Sequence, residues 1–320
     1  MSKIAVVGAG AWGTALALQA VRAGHQVALV ARDAVSAAAI DTKRDNHRLP
    51  GIHLPDELCV RHHIPHDADL LLWVVPTQQL RPSLARLQPL GRPIVVCAKG
   101  VEAGTNLLPL EVVRNVSPNH SLAVLSGPNF AHEVAKGLPA AAVVASADGG
   151  LREHVRETLG TSTFRLYGND DPIGCQLGGA AKNVIAIAAG AVIGAGLGEN
   201  ARAALVTRGL SELCRLAVAL GGRAETVMGL SGLGDLLLTC TGASSRNFSL
   251  GHALGRGDSL SHILATRSAV TEGVSTAAAL VARAGDVELP ICRAVAELLA
   301  GIKTLDQAIA DLLSRPQRDE

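Results

Sequence analysis

Short, nearly continuous apolar runs separated by mixed stretches fill the first half of the chain, and long alanine- and leucine-rich segments fill the second. The runs at 4–7, 25–32, 69–75, 93–98, 121–125, 140–145 and 163–167 have the length and β-branched content of strands covered on both faces. Between them, 12–23, 78–88 and 151–159 read as helices. Such alternation predicts a doubly wound, mostly parallel sheet. Beyond about Pro172 no further β-like run appears. Across 199–220, Arg208, Glu212 and Arg215 fall at helical spacing, as do Leu213, Leu216 and Leu220. The pattern predicts an α/β chain, with a sheet domain over 1–175 and an all-α domain over 176–320. The joint falls near the polar stretch from Gly168 to Pro172. No internal repeat is visible, and residues 314–320 are polar enough to read as a frayed end.

The first strand and helix enclose Gly8, Gly10 and Gly13 in G-x-G-x-x-G register. In that register the first glycine permits a tight turn and the second lets backbone N–H groups approach a pyrophosphate. The third lets the helix pack close to its strand. The helix N-terminus adds partial positive charge for the phosphates. In a chain with 34 glycines the register alone says little; its β-α-β setting gives it weight and makes the sheet domain Rossmann-like. The second strand ends at Arg32 and Asp33. An acidic residue there takes the ribose hydroxyls of NAD, whereas an arginine accommodates a 2′-phosphate. Asp33 can equally cap the next helix, which favours Arg32 as the contact and NADPH over NAD as cofactor. Lys3, the apolar stretch after it and Ala15, Leu16 and Ala17 imitate a secretory signal. The glycine register accounts for the same letters better.

Composition narrows the field. The chain has 320 residues, 48% of them hydrophobic, a net charge of +1 and 2% aromatics. This is enough apolar material for two cores, with neither the basic footprint nor the stacking surface that nucleic acid requires. The uncharged run at 183–198 is short and glycine-rich for a membrane span, so no membrane insertion is expected. Six scattered cysteines (Cys59, Cys97, Cys175, Cys214, Cys240 and Cys292) include no C-x-x-C and read as reduced thiols of a cytoplasmic protein. His53, His62, His63 and His66 cluster in a proline-containing stretch, but without a cysteine or helical partner they read as loop residues, and no metal is expected.

Against this background one charge stands out. Lys182 is the single ionisable side chain with a full charge in the apolar segment 173–198. A lysine so placed either reaches out to water along its stem or is paired, functional or able to lose its proton. Three polar turns follow strand ends where open parallel sheets gather ligands: one from Pro76 to Gln78, one at Lys99, and one from Ser126 to Ala131. In the helical half, Asp235 opens an apolar run, as an N-cap or as a partner of Lys182 or of a substrate hydroxyl. Ser244, Ser245, Arg246, Asn247 and Phe248 combine hydroxyl, guanidinium and amide at a helix start. That mixture suits a phosphate, or else a simple serine cap beside a surface arginine. Glu272 stands where it would favour a helix dipole.

Taken in order, GAGAWGTA from Gly8, KGVE from Lys99, SGPNFA from Ser126, GAAKNV from Gly179, NARAAL from Asn200, GLGDL from Gly232, SRN from Ser245 and EG from Glu272 span the chain. Together they resemble the bacterial NAD(P)-dependent glycerol-3-phosphate dehydrogenase family. The resemblance implies that Lys182 is the catalytic proton acceptor. It implies that Lys99, Gly127, Asn129, Asp235, Ser245, Arg246 and Asn247 line a small phosphorylated substrate. The cofactor would touch the glycine turn (Gly8, Gly10, Ala11, Trp12, Gly13), Arg32, Lys99, Ala131, Arg246, Val270 and Glu272. Three positions depart from the family pattern: Ala11 for a usual serine, Asn129 for a serine or threonine, and Val30 for a common tryptophan. The implied activity interconverts dihydroxyacetone phosphate and sn-glycerol 3-phosphate by hydride transfer and supplies phospholipid synthesis. An ordinary lysine is a poor base at neutral pH, and lowering its pKa by about three units costs roughly 4 kcal/mol. The apolar helix and the cationic Lys99 push that way, and Asp235, if adjacent, pushes back. Two other readings stay open: a 3-hydroxyacid or sugar-acid dehydrogenase of the same two-domain plan, and a redox sensor that binds NAD(P)H without turnover. Oligomeric state is open, a homodimer being one option.

Overall fold

A computed structural model of the chain describes residues 1–85, 91–242, 244–267 and 270–314. It divides into two compact units, Met1–Lys99 with Pro109–Cys175, and Gly100–Leu108 with Gln176–Glu320. The segment Gly100–Leu108 groups with the helical unit although the sequence on either side of it belongs to the sheet. Strand–helix alternation carries no mark of that excursion, because a nine-residue loop has no period of its own.

The first unit is built on one eight-stranded sheet: β1 (Lys3–Val7), β2 (Gln26–Val30), β3 (Leu58–Arg61), β4 (Leu70–Trp73), β5 (Ile94–Val96), β6 (Leu122–Ser126), β7 (Ala140–Ala145) and β8 (Phe164–Asn169). The strand order is β3-β2-β1-β4-β5-β6-β7-β8. Every pairing is parallel except β6 with β7. The order reverses between β1 and β4, which places the first β-α turn at the switch point of the sheet. The strand not foreseen is β3. It lies at the sheet edge and buries Leu58 and Val60 but exposes Arg61, so it lacks the unbroken apolar run of the central strands.

Six helices accompany the strands among the described residues: α1 (Ala11–Arg22), α2 (Ala34–Lys43), α3 (Thr77–Leu84), α4 (Pro109–Val116), α5 (Ala131–Ala135) and α6 (Gly149–Leu159). Ile4, Val6, Leu29, Leu70, Leu72 and Val95 of the sheet form one core with Leu16, Ala17 and Ala20 of α1. The part of the expected helix at 86–88 and the expected frayed end at 315–320 lie outside the described residues.

From Pro172 onward the described chain is helical. Its elements are α7 (Pro172–Gly194), α8 (Gly198–Ala219), α9 (Ala224–Val227), a π-helical turn (Leu230–Gly234), α10 (Asp235–Cys240), α11 (Arg246–Gly255), α12 (Leu260–Ala265), α13 (Glu272–Ala284), α14 (Pro290–Leu299) and α15 (Leu305–Leu313). By length and hydropathy α7 could cross a membrane, but 78% of its most apolar stretch is buried inside the protein. Many of its side chains are buried, from Cys175 to Val192. α11 crosses it with backbones in contact: a Cβ on Gly190 would lie 2.0 Å from the Phe248 carbonyl oxygen, and one on Gly251 1.9 Å from that of Ile187. No other residue fits there without parting the helices. On α8, the buried Glu212 accepts the N–H groups of Ile291 (2.7 Å) and Cys292 (3.2 Å) in the first turn of α14. Burial pushes this carboxyl above the usual range, against the pull of those two bonds.

Candidate active site

In the first unit the candidate site is made of backbone. At φ +116° Gly8 occupies the region that side chains avoid. A Cβ on Gly13 would lie 1.8 Å from the Gly8 carbonyl oxygen, so the helix can start hard against the turn. Gly10 differs: an added Cβ there meets nothing within 4 Å. Gly10 is also the N-cap of α1, and no side chain caps the helix. The first-turn N–H groups are therefore left without a capping side chain to accept them. Close by in sequence, the indole Nε1 of Trp12 is buried with no hydrogen-bond partner among the described residues. Open space over a glycine, uncapped donors and an orphaned indole N–H fit a dinucleotide pyrophosphate. Ala11 adds no hydroxyl, so that binding rests on the main chain.

At the end of β2, Asp33 accepts the Ser36 N–H at 2.7 Å and caps α2. That bond first, and the guanidinium of Arg32 at 3.1 Å after it, hold the Asp33 carboxyl down at about 2. The Arg32 side chain is 90% exposed. Beyond β5, Lys99 Nζ donates to the Gly127 carbonyl at 2.9 Å and ties together the ends of two neighbouring strands. Asn129 donates its amide to the Ala141 carbonyl at 3.1 Å. Its buried Oδ1 has no hydrogen-bond partner among the described residues. Ala131 is the first residue of α5.

In the second unit the candidate site is made of side chains. Lys182, on α7, does not reach out to water: its side chain is 11% exposed. Its Nζ lies 2.7 Å from Asp235 Oδ1 and 3.0 Å from Thr239 Oγ1. Asp235 is the first residue of α10 and is 1% exposed, while Gly234 holds the N-cap position. Thr239, one turn on, also donates to the Asp235 carbonyl oxygen at 2.6 Å. Burial pushes the neighbouring Cys240 thiol, and that of Cys97 in the first unit, up to about 12, which leaves both inert as nucleophiles. All six cysteines are free, and no group of three or more metal-ligating side chains occurs among the described residues.

A second buried link runs through the amides. Asn247 Nδ2 donates to Asn183 Oδ1 at 2.8 Å, and its Oδ1 accepts the Gly273 N–H at 3.0 Å. The residue after Lys182 on α7 is thereby joined to the starts of α11 and α13. The Ser245 side chain accepts the Phe248 N–H at 3.2 Å and is the N-cap of α11. Arg246 remains exposed and donates to the Val270 carbonyl at 2.8 Å. Val270 is 49% exposed, and Glu272 opens α13.

Three contributors escaped the sequence reading. Thr239 stands four residues after Asp235, a helical spacing that puts both on one face and could have been found. Asn183 adjoins Lys182. Asn46 gives no signal at all: it sits in a polar loop, yet it is 1% exposed and donates to the Ala9 carbonyl (3.0 Å) and the Thr14 hydroxyl (2.8 Å).

A turn that fits a dinucleotide and a buried amine held by a carboxylate define a pyridine-nucleotide-dependent dehydrogenase. The family profiles described as the N-terminus and the C-terminus of NAD-dependent glycerol-3-phosphate dehydrogenase match residues 3–151 and 171–310. Proteins named glycerol-3-phosphate dehydrogenase [NAD(P)+] are similar over nearly the full length. The one from Acidiphilium cryptum is 54% identical, over 99% of this chain and 98% of its own. The one from Parvibaculum lavamentivorans is 50% identical over the same shares. The crystal structure of glycerol-3-phosphate dehydrogenase from Coxiella burnetii superposes with a TM-score of 0.92 at 37% identity, covering 98% of this chain and 99% of that one. The chain belongs to the NAD-dependent glycerol-3-phosphate dehydrogenase family.

Proposed function

We propose that this chain interconverts dihydroxyacetone phosphate and sn-glycerol 3-phosphate with NAD(P), in the cytoplasm, and so supplies glycerol phosphate for phospholipid synthesis. The observation that carries this reading is the buried Lys182–Asp235–Thr239 cluster, in a chain whose relatives carry that name along their whole length. When bound, the nicotinamide donates or accepts the hydride at the substrate's second carbon. The chain's own work is with protons and with position. In reduction, Lys182 delivers a proton to the carbonyl oxygen; in oxidation, it takes one from the secondary alcohol. Asp235 stabilises the ammonium form, which suits the reductive direction, and together with Thr239 it fixes where Nζ points. Arg246 and the first N–H groups of α11 take the substrate phosphate and hold the reacting carbon in place. Ser245 and Asn247 serve that site by shaping the helix start, their side chains being engaged with Phe248, Asn183 and Gly273. The exposed Arg32 takes a 2′-phosphate, which favours NADPH, because Asp33 is used as a helix cap.

The test is the loss of NADPH absorbance on addition of dihydroxyacetone phosphate, run beside NADH and beside 3-oxo acids and sugar acids. Turnover with the phosphorylated ketone is expected. Turnover with the carboxylates alone would transfer the chain to the hydroxyacid reading, and binding without any turnover to the sensor reading.

A further inference from the structure

The glycine turn is held from behind by a residue far away in sequence. Asn46 follows α2, in the loop that leads towards β3, and is 1% exposed. Both hydrogens of its amide are used: Nδ2 donates to the Ala9 carbonyl oxygen at 3.0 Å and to Thr14 Oγ1 at 2.8 Å. Its Oδ1 accepts the Arg48 N–H at 3.1 Å, and its own carbonyl accepts the Leu49 N–H at 2.7 Å. The amide thus has one orientation, fixed by its partners, and the loop around it is a closed turn.

The two acceptors lie on either side of the phosphate-facing corner. Ala9 lies in the turn between Gly8 and Gly10, and Thr14 is in the first turn of α1, where its N–H donates to the Gly10 carbonyl at 2.9 Å. A trans peptide is planar, with its C=O and N–H pointing in opposite directions. Holding the Ala9 carbonyl towards Asn46 therefore aims the Gly10 N–H away from it, at a residue where an added Cβ would meet nothing within 4 Å. We propose that Asn46 is a positioning residue for the dinucleotide: it clamps the Ala9 carbonyl and the Thr14 hydroxyl and presents the Gly10 N–H to the pyrophosphate. This rests on the NAD(P) reading of the turn. It adds that the donor is set before the cofactor arrives, by an amide that does not touch it.

Asn46→Asp tests the clamp, since it keeps the shape and the acceptor for Arg48 but removes the donor to Ala9. Binding is measured by calorimetry with three ligands: NADPH, 2′-phospho-ADP-ribose and adenosine 2′-monophosphate. The first two contain the pyrophosphate and should each weaken about tenfold or more; the third lacks it and should bind as before. A residue with a merely structural role would weaken all three alike, so equal losses overturn the proposal, as does unchanged NADPH affinity. Asn46→Ser, neutral and smaller, is measured beside it on the same ligand pattern and stands alone if the aspartate variant shows no cooperative melting transition; a loss with aspartate but not with serine is charge repulsion of the pyrophosphate and overturns the proposal. If the unaltered protein fails to bind NADPH, the cofactor reading falls and takes the clamp with it. Normal binding by the unaltered protein with unchanged variants sinks the clamp alone.

Discussion

In the proposed reading the two units meet their ligands with different groups in the lead. In the sheet unit the chemistry is presented by main chain: a glycine turn, the uncapped start of α1, and carbonyls that tie down Lys99 and Asn129. In the helical unit the proposed chemistry falls chiefly to long side chains, Lys182 and Arg246, beside the first N–H groups of α11, on helices joined by buried polar links. A backbone donor is deleted only by proline, which also fixes φ; other substitutions can only misaim or block it. Side-chain groups can be removed singly with the scaffold intact. A nucleotide pyrophosphate, which carries charge but no proton to be moved, suits the first arrangement. A reaction that must pass a proton to and fro requires the second.

Four substitutions press on this contrast. Lys182→Ala should have the largest effect, lowering kcat by about 10³-fold while NADPH binding stays as it was. Steady-state rates beside calorimetric titration decide it, and near-normal turnover would remove Lys182 from its role. Next, Arg246→Ala should raise KM for dihydroxyacetone phosphate by about 10- to 100-fold, the worth of a charge-assisted bond. A loss confined to non-phosphorylated analogues would misplace the phosphate. Glu212→Ala leaves two buried N–H groups of α14 without acceptors and should cost about 2 kcal/mol of stability, seen as a lower melting temperature. Asp33→Ala should do least, lowering the melting temperature slightly and leaving NADPH affinity unaltered. Its effect has a pH signature. The folded carboxyl titrates at about 2 against 3.8 for the free group, so its contribution is present above 3.8 and fades as pH falls towards 2. Loss of NADH binding by this variant would instead return Asp33 to the ribose.

Much of this was legible in the chain. Buried parallel strands write themselves as apolar runs, which is why β1, β4, β6 and β7 stood out, while the edge strand β3 needed apolar residues on one face alone and was silent. Gly8, Gly10 and Gly13 were readable because the spacing of a turn is local. Lys182 was readable because a charge in an apolar helix is conspicuous. Its pairing with Asp235 across 53 positions of sequence had no local mark, and the alternative of a plain N-cap could be weighed but not settled. Asn46 was invisible for a simpler reason: a polar residue in a polar loop looks exposed until tertiary structure buries it.

The contact of α7 with α11 through Gly190 and Gly251 restricts how this enzyme can be altered. Where two main chains touch there is nothing to trim and no room to enlarge, so saturation mutagenesis of the crossing should return inactive clones rather than new specificities. Libraries aimed at other phosphorylated ketones belong at the helix starts, around Arg246 and Val270, where exposed side chains can change length without moving the scaffold.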